Sequence, residues 1–481
     1  MNSKKMLLLV GLAAVFAVSS CSGVHNACTT NCGGGNANLS ITISDTPPTN
    51  TSVVSFSLPI IGITLTPSSG SAVSVFSSNP STDFELTRLQ SDTNLVLANQ
   101  TVTAGSYTAI NVTVAGPTGT FVNSSSGTVG VCVAGAYCGM TGNAATITYT
   151  FSSPLVLSSG ANQWVDLDFN YNNAIVLSSN VVGIDVTQPG VMTASSTVPV
   201  GVASGNFANI DDFTGAITAL SGTSITLQSS LRGSLTAAIT SSTPWYDPQG
   251  QCNGGGSQSC VGVGSIVSLQ GLLSTAGLVN ATSLDIIDAS TAPADEVEGL
   301  IYPSSCNGAA SFGMILSDSV IFTSGSPLTT SGFGSGVCLT IDPSATFGID
   351  TGILSTQAVS PHIGFQSGSD LLPGQTVRAQ ITGATSGTNG VNATATGMLL
   401  RYSRVTATVS VAANVFTVTG LPGYFPTFSI PAQVQTYTGA TLFEGTTDPN
   451  SLAGTVSFSA FFVNPTGGVQ YPFYAAKVRQ Q

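Results

Sequence analysis

Short runs in which apolar and hydroxyl-bearing residues alternate recur along most of the chain. Leu39, Ile41 and Ile43 alternate with Ser40, Thr42 and Ser44, and Ile110, Val112 and Val114 alternate with Asn111 and Thr113. Ile225 and Leu227 flank Thr226, and Val267 and Leu269 flank Ser268. A period of two predicts strands with one face in a core and the other towards water, the habit of antiparallel sheets. Turn formers separate the runs: Asp45-Thr46-Pro47-Pro48, Pro67-Ser68-Ser69-Gly70, Ala104-Gly105-Ser106 and Ser221-Gly222. No helical stripe of a dozen residues follows the N-terminal segment, so the pattern predicts an all-β chain.

The second half repeats itself weakly. Phe213-Thr214-Gly215-Ala216-Ile217 and Val297-Glu298-Gly299-Leu300-Ile301 each open a piece. Each of three pieces then closes with a Gly-started strand and a small-residue strand. Gly264-Ser265-Ile266-Val267 leads to Asn280-Ala281-Thr282-Ser283-Leu284, and Gly374-Gln375-Thr376-Val377 to Asn392-Ala393-Thr394-Ala395. Gly454-Thr455-Val456 leads to Tyr474-Ala475-Ala476-Lys477-Val478, with Gly and Val one residue closer together than in the other two. Strands of this kind suit small closed barrels, where Gly permits sharp bending. For 481 residues, this predicts an N-terminal β-sandwich over 38–199 and barrel-like units over 205–290, 294–403 (with an insertion) and 404–481.

The N-terminus carries an address. Lys4 and Lys5 precede an apolar stretch, Met6 to Val18, and Val18-Ser19-Ser20-Cys21 reads as a lipobox. Residues 1–20 are expected to be a lipoprotein signal peptide and Cys21 the acylated residue, a palmitate-type anchor. Residues 21–37, with Gly33-Gly34-Gly35, read as a flexible stalk. An ordinary secretory signal with an incidental cysteine is the alternative. No later apolar run is long enough for a membrane helix. The expected location is the cell envelope, extracytoplasmic, at the outer membrane or cell surface.

Charge narrows the partners. Of nine Lys and Arg, Lys4 and Lys5 go with the signal, leaving seven bases against 21 acids, or net −14. That balance argues against nucleic acid and against docking on anionic lipid. Charged residues are 6% of the chain while 42% are hydrophobic, which opposes disorder and leaves Ser, Thr, Asn, Gln and Gly to cover the surface.

With Cys21 set aside, proximity sorts eight cysteines into Cys28/Cys32, Cys132/Cys138, Cys252/Cys260 and Cys306/Cys338, expected disulfides outside the cytoplasm. A metal site at His25, Cys28 and Cys32 is the rival reading of the first pair, but it lacks CxxC spacing and a fourth ligand. Hydrolase chemistry finds little support. His25 and His362 are the two histidines, and no Gly-x-Ser-x-Gly, His-Glu-x-x-His or phosphate-cradling Gly-Lys-Ser/Thr motif occurs.

Two constellations could hold a ligand. Asp166 and Asp168 project from one face of a strand, and Asn170 and Asn172 extend that polar row. Hard oxygens of this kind could hold Ca²⁺, but Tyr171 and Leu177 stand where an EF-hand loop needs Gly and Glu, so a solvated strand face is the competing reading. Asp45 reads as a turn former, and Asp295, Glu296 and Glu298 as acids that hydrate a linker and blunt an edge strand. Trp245 and Tyr246, in the loop Thr243-Pro244-Trp245-Tyr246-Asp247-Pro248, could stack on sugars. So could Tyr424, Phe425 and Phe428, and Tyr471, Phe473 and Tyr474, although aromatics more often close the ends of a core.

Four separated motifs then occur in a familiar order: Leu39 to Pro47, Phe84-Glu85-Leu86-Thr87-Arg88-Leu89, Ala104-Gly105-Ser106-Tyr107-Thr108 and Asp166-Leu167-Asp168-Phe169. Over about Asn38 to Pro199 the chain resembles the lipoprotein domain catalogued as domain of unknown function 4382. The downstream repeats resemble the small β-barrel units of domain of unknown function 5666, apart from insertions carrying Cys252/Cys260 and Cys306/Cys338. The resemblances imply a multidomain β lipoprotein of the cell envelope and supply no reaction. The expectation is a non-enzymatic binding or scaffolding protein with polysaccharide as the ligand class. A structural or adhesin subunit recognising protein partners is the alternative, and a glycoside hydrolase built on a carboxylate pair a remote one.

Overall fold

The computed structural model describes residues 34–47, 52–178, 181–302, 306, 311–354, 364–388, 390–412, 415–428, 432–446, 448–463 and 472–480. Cys21, His25, Cys28, Cys32, His362 and Tyr471 lie outside the described residues. The rest is nearly all strand, as the alternation predicts.

Twelve strands build the N-terminal unit: β1 (Asn36–Asp45), β2 (Val53–Pro67), β3 (Val73–Glu85), β4 (Asn94–Thr103), β5 (Gly105–Val114), β6 (Thr118–Val122), β7 (Tyr137–Thr141), β8 (Ala145–Leu157), β9 (Asn162–Phe169), β10 (Ile175–Ser178), β11 (Val181–Ile184) and β12 (Met192–Ser195). One sheet runs β12-β9-β1-β4, a second runs β7-β6-β2-β5-β8 with β3 on β2, and β10-β11 is a separate hairpin. Leu39, Ile41 and Ile43 of the first sheet share one core with Ile63, Leu65, Ile110 and Val112 of the second. This is a sandwich, and the apolar members of the alternating runs face inwards. Two single-turn helices, α1 (Leu86–Leu89) and α2 (Tyr171–Ala174), follow β3 and β9.

Three small barrels follow. In the first, β13 (Asn206–Leu220), β14 (Ser224–Ser229), β15 (Gly233–Ala238), β16 (Trp245–Tyr246), β17 (Ile266–Ser274) and β18 (Val279–Asp288) form a sheet that closes through a β15–β18 pairing. The second is a closed barrel of β19 (Asp295–Tyr302), β20 (Ser311–Val320), β21 (Gly336–Ile349), β22 (Thr376–Gly387) and β23 (Gly390–Arg401). The third has β24 (Ser403–Ala412), β25 (Val415–Thr419), β26 (Ala432–Gln435), β27 (Leu442–Glu444), β28 (Gly454–Phe462) and β29 (Phe473–Gln480), closed by β26 on β29.

The weak repeat is a repeat of register. Gly215 pairs with Val267, Gly299 with Val377, and Ala407 with Val456. One step away, Thr214 pairs with Ser268, Glu298 with Arg378, and Thr406 with Ser457. Gly264, Gly374 and Gly454, just before these strands, have φ of 101°, 94° and 77°, a left-handed conformation that glycine adopts without a Cβ penalty. The steps Thr214–Ser268, Glu298–Arg378 and Thr406–Ser457 are polar and yet buried, because other units cover them.

Disulfides join Cys132 to Cys138, Cys252 to Cys260 and Cys306 to Cys338. Among the described residues no helix is long and apolar enough to cross a membrane.

Candidate functional site

The four units meet at a polar junction. Every Lys and Arg after Lys5 lies in it, and the side chains of Arg88, Arg232, Arg378, Arg401, Arg404, Lys477 and Arg479 are at most 7% exposed. The sandwich contributes a peg, the stretch from Phe84 to Asn94 that includes α1, which is buried except at Thr87. So polar a segment can be buried only if partners from elsewhere satisfy it. Arg88 donates to Glu298 of the second barrel at 2.6 Å and to Asp212 of the first at 2.7 Å. Gln90 accepts from Thr406 of the third at 2.6 Å. Arg479, also of the third, donates to the carbonyls of Leu89 and Asp92, each at 3.0 Å.

A bulge in β13 aims two carboxylates into this junction. Ile210 pairs with Gly271 and Phe213 with Leu269, so Asp211 and Asp212 together oppose Gln270. Asp212 has φ 45°, a left-handed conformation that aspartate tolerates better than most residues, and its N–H donates to Gln270 Oε1 at 3.1 Å. Its carboxylate takes bonds from Ser268, Arg88, Arg401 and Arg404. Burial pushes that carboxyl up, but the guanidiniums of Arg401, Arg404 and Arg88 outweigh it and hold it well below the usual range. Asp211 turns the other way, accepting from Thr93 N–H at 2.9 Å and Lys477 Nζ at 2.7 Å. There burial exceeds the help from Lys477, and the carboxyl is pushed up to about 6.

Between the first and third barrels the junction opens into a cleft of about 610 Å³. Asn209, Asp211, Tyr246, Gln270, Arg404 and Lys477 line it with other residues of both barrels. Asn209 is 6% exposed, and its Nδ2 has no hydrogen-bond partner. A buried donor without an acceptor costs about 1–3 kcal/mol, so an unpaired amide at the wall of a cleft marks a place for a ligand oxygen.

The aromatic pair splits across this wall. Trp245 pairs with Leu284 and packs, half-buried, against the first barrel's core, whereas Tyr246 lines the cleft. Asp247 fixes the turn behind them by accepting from the N–H groups of Gln251 (2.9 Å) and Cys252 (2.6 Å). Phe425 and Phe473 belong to the third barrel's core, with Tyr424 and Phe428 packed on it, and Tyr474 is buried against the second barrel. These other aromatics close cores.

Three readings of acids need correction. Asp166 accepts from Thr42 at 2.6 Å and Ser44 at 2.5 Å, and Asp168 from Thr46 at 2.7 Å, so the row faces hydroxyls of β1 rather than open water. Parallel pairing of β1 with β9 sets Thr42 beside Asp166 and Ser44 beside Asp168. Asn170 sits at the N-terminal cap of α2 without a side-chain cap bond. Among the described residues, no three His, Cys, Asp or Glu side chains are grouped to hold a metal ion. Asp45 is buried and accepts from the Tyr171 N–H across the sheet, at 3.3 Å, instead of closing its own turn. Asp295, Glu296 and Glu298 are buried rather than hydrated: Asp295 accepts from Phe322 N–H at 2.6 Å, Glu296 pairs with Arg378 at 2.7 Å, and Glu298 sits at the hub.

The family comparison falls on the unit that supplies the peg. Residues 36–195 match the model of a domain of unknown function, DUF4382. The Phe84–Leu89 motif lies within the matched residues and belongs to the element that enters the junction. No curated protein matches the chain.

The junction itself was missed from sequence. Its signal was the placement of rare cations inside apolar strands, as in Val377-Arg378-Ala379 and Ala476-Lys477-Val478-Arg479, and an Asp-Asp pair within a strand.

Proposed function

We propose that the chain is a lipid-anchored cell-envelope protein that binds an uncharged, polyhydroxylated ligand, a saccharide unit, in the cleft between the first and third barrels. The observation that carries this reading is the buried, unpartnered Nδ2 of Asn209 in the wall of the cleft that Tyr246 also lines. The cleft has the size of small-molecule sites, and Tyr246 offers a ring face with a polar rim. Arg404 and Lys477 are each paired with carboxylates, Asp92 and Asp212 for the first and Asp211 and Glu444 for the second. No cation on the wall is left unpaired for an anionic ligand, which favours a neutral one.

Calorimetric titration of the full chain with neutral mono- and oligosaccharides tests this. One sugar class should bind saturably, and Asn209→Ala and Tyr246→Ala should each weaken it about tenfold, the worth of one good hydrogen bond or ring contact. Absence of binding across the panel, or binding indifferent to both substitutions, would overturn it. Lipidation of Cys21 is tested separately, since Cys21→Ser should abolish incorporation of labelled palmitate and release the protein from membranes.

The peg, buried except at Thr87, favours a second reading, a scaffold whose units are fixed relative to one another to present surfaces at a distance. A chain that binds no sugar but stays in one piece under limited proteolysis would support it.

A further inference from the structure

Of the eleven large apolar side chains exposed among the described residues, four gather on two loop tips of the sandwich. Val131 and Val133, in the loop between β6 and β7, are 76% and 60% exposed, and Leu177 and Val181, on the β10-β11 hairpin, are 65% and 52% exposed. A single bare valine needs no explanation, whereas a contiguous set marks a contact surface. Val129 of the loop and Leu177 of the hairpin line one apolar groove of about 280 Å³, with Phe121, Met140, Ile175 and Val182. The two tips therefore form one patch.

The loop is built to leave water. From Val129 to Ala136 its one heteroatom-bearing side chain is Cys132, which is held in the disulfide with Cys138. Backbone that enters an apolar medium must have its N–H and C=O groups satisfied within the protein. Val129 and Cys132 exchange both backbone bonds, at 2.9 and 3.0 Å. The Gly135 N–H donates to the Asn123 carbonyl at 2.7 Å, and the Ala136 N–H to the Val133 carbonyl at 3.1 Å. Asn123 Nδ2 donates in turn to the carbonyls of Gly127 and Cys132, at 2.8 and 2.7 Å. So much fixed structure leaves little chain entropy to lose on insertion.

Charge selects the occupant. No Asp, Glu, Lys or Arg occurs from Thr93 to Val165 or from Phe169 to Ile184. The tips have no Trp or Arg to anchor a protein partner, and Tyr137 is stacked on Tyr302. All cations among the described residues are buried in the junction, so attraction to anionic headgroups contributes nothing and apolar insertion is left. We propose that the two tips dip into the interfacial layer of a lipid bilayer, a second membrane contact besides the anchor proposed at Cys21. The groove lies beside Ser52 and Val53, past the C-terminal end of β1, whereas the stalk joins β1 at its other end, Asn36. The 15 residues from Ser22 to Asn36 reach at most about 50 Å, and β1 is about 33 Å long. Anchor and tips can thus engage one bilayer and lay the sandwich along it. Two tips bind weakly and reversibly, so they orient an anchored chain rather than hold it. The inference stands independently of the cleft.

Flotation with phosphatidylcholine vesicles tests it, using the chain from Ser22 onwards, which keeps every described residue and lacks the acylation site. That chain should float with the vesicles, and added phosphatidylglycerol should change its partition less than twofold. Val131→Asp with Val133→Asp, and separately Leu177→Asp, should each cut partition at least tenfold while circular dichroism stays unchanged, because these side chains are exposed. Tyr246→Ala should float as the parent does. Absence of flotation, flotation only with phosphatidylglycerol, or flotation undiminished in the folded Asp variants overturns the proposal. So does self-association in place of vesicle binding that the same variants abolish, which would assign the patch to a second copy of the chain.

Discussion

Arg88 and Glu298 stand 210 residues apart in the chain, and their side chains meet at 2.6 Å. The same guanidinium reaches Asp212, so one side chain of the sandwich fastens two barrels. Burying a charge is costly, and removing one partner of a buried pair leaves the other uncompensated. Arg88→Met should therefore destabilise the chain by about 3 kcal/mol, at the lower end for a broken buried pair because Arg401 and Arg378 still hold Glu298. Asp342→Asn, at a half-buried site away from the junction where an amide oxygen can still accept from Ser344, should stay within about 0.5 kcal/mol. Urea unfolding of the two variants checks this, and equal midpoints would mean that the junction does not hold the units together.

The junction also sets a pH dependence with two limbs. Burial pushes the Asp211 carboxyl up to about 6 and the Asp285 carboxyl up to about 7, so over the range between the ordinary aspartate value and these the folded state binds more protons than the unfolded one. Stability from these groups falls as pH rises through that window. Glu444 goes the other way: Arg479 and Lys477 outweigh burial and hold it at about 2, and Glu298 and Asp212 are lowered likewise. Their contribution is present above the ordinary carboxylate range and is lost as pH falls towards the folded values. Thermal melts should accordingly peak on the acid side of neutrality, near the crossing of the two limbs. Asp285→Asn should raise stability at pH 8, by roughly 1–3 kcal/mol, with no gain at pH 4. A melting temperature that climbs steadily from pH 5 to pH 8 would contradict this assignment.

Strand character was legible because period-two alternation is local: Ile41 and Ile110 need only their neighbours to show which face is apolar. The barrel repeat was legible too, through Gly264, Gly374 and Gly454. The junction was not, because its partners are remote. Nothing beside Arg88 names Glu298, and Asp295-Glu296-Val297-Glu298 has the composition of a hydrated linker until three guanidiniums surround it. Tyr246 was found as a turn aromatic, but Asn209 was not, since its significance lies in a missing partner that only three dimensions reveal.

Cross-links should differ in worth. Cys306 and Cys338 are 32 residues apart and Cys132 and Cys138 only 6. In the chain-entropy account a longer loop restricts the unfolded state more, which favours the former by about 1.4 kcal/mol. Replacing Cys306 and Cys338 together by Ala should lower the urea midpoint more than replacing Cys132 and Cys138. The reverse order would mean that the short loop contributes through native packing instead.

The repeated register makes a last prediction about two glycines and an alanine. Gly215, Gly299 and Ala407 occupy the same step of the three barrels, facing Val267, Val377 and Val456. In the third barrel a methyl group is accommodated, and Ala407 is buried in the core. In the second, a Cβ on Gly299 would stand 2.1 Å from the Ile315 carbonyl oxygen and 2.5 Å from Met314 Cγ. In the first, a Cβ on Gly215 would lie 2.7 Å from the backbone of Gln228. Backbone cannot swing aside as a flexible side chain can, so both sites are overpacked by one methyl. Gly299→Ala should cost about 3 kcal/mol and Gly215→Ala about 1–2 kcal/mol, in the order of their clashes. Ala407→Gly should cost less, about 1 kcal/mol, from lost burial and added chain entropy. Unfolding midpoints for the three variants decide it, and a neutral Gly299→Ala would show that β20 can move away from β19 without loss.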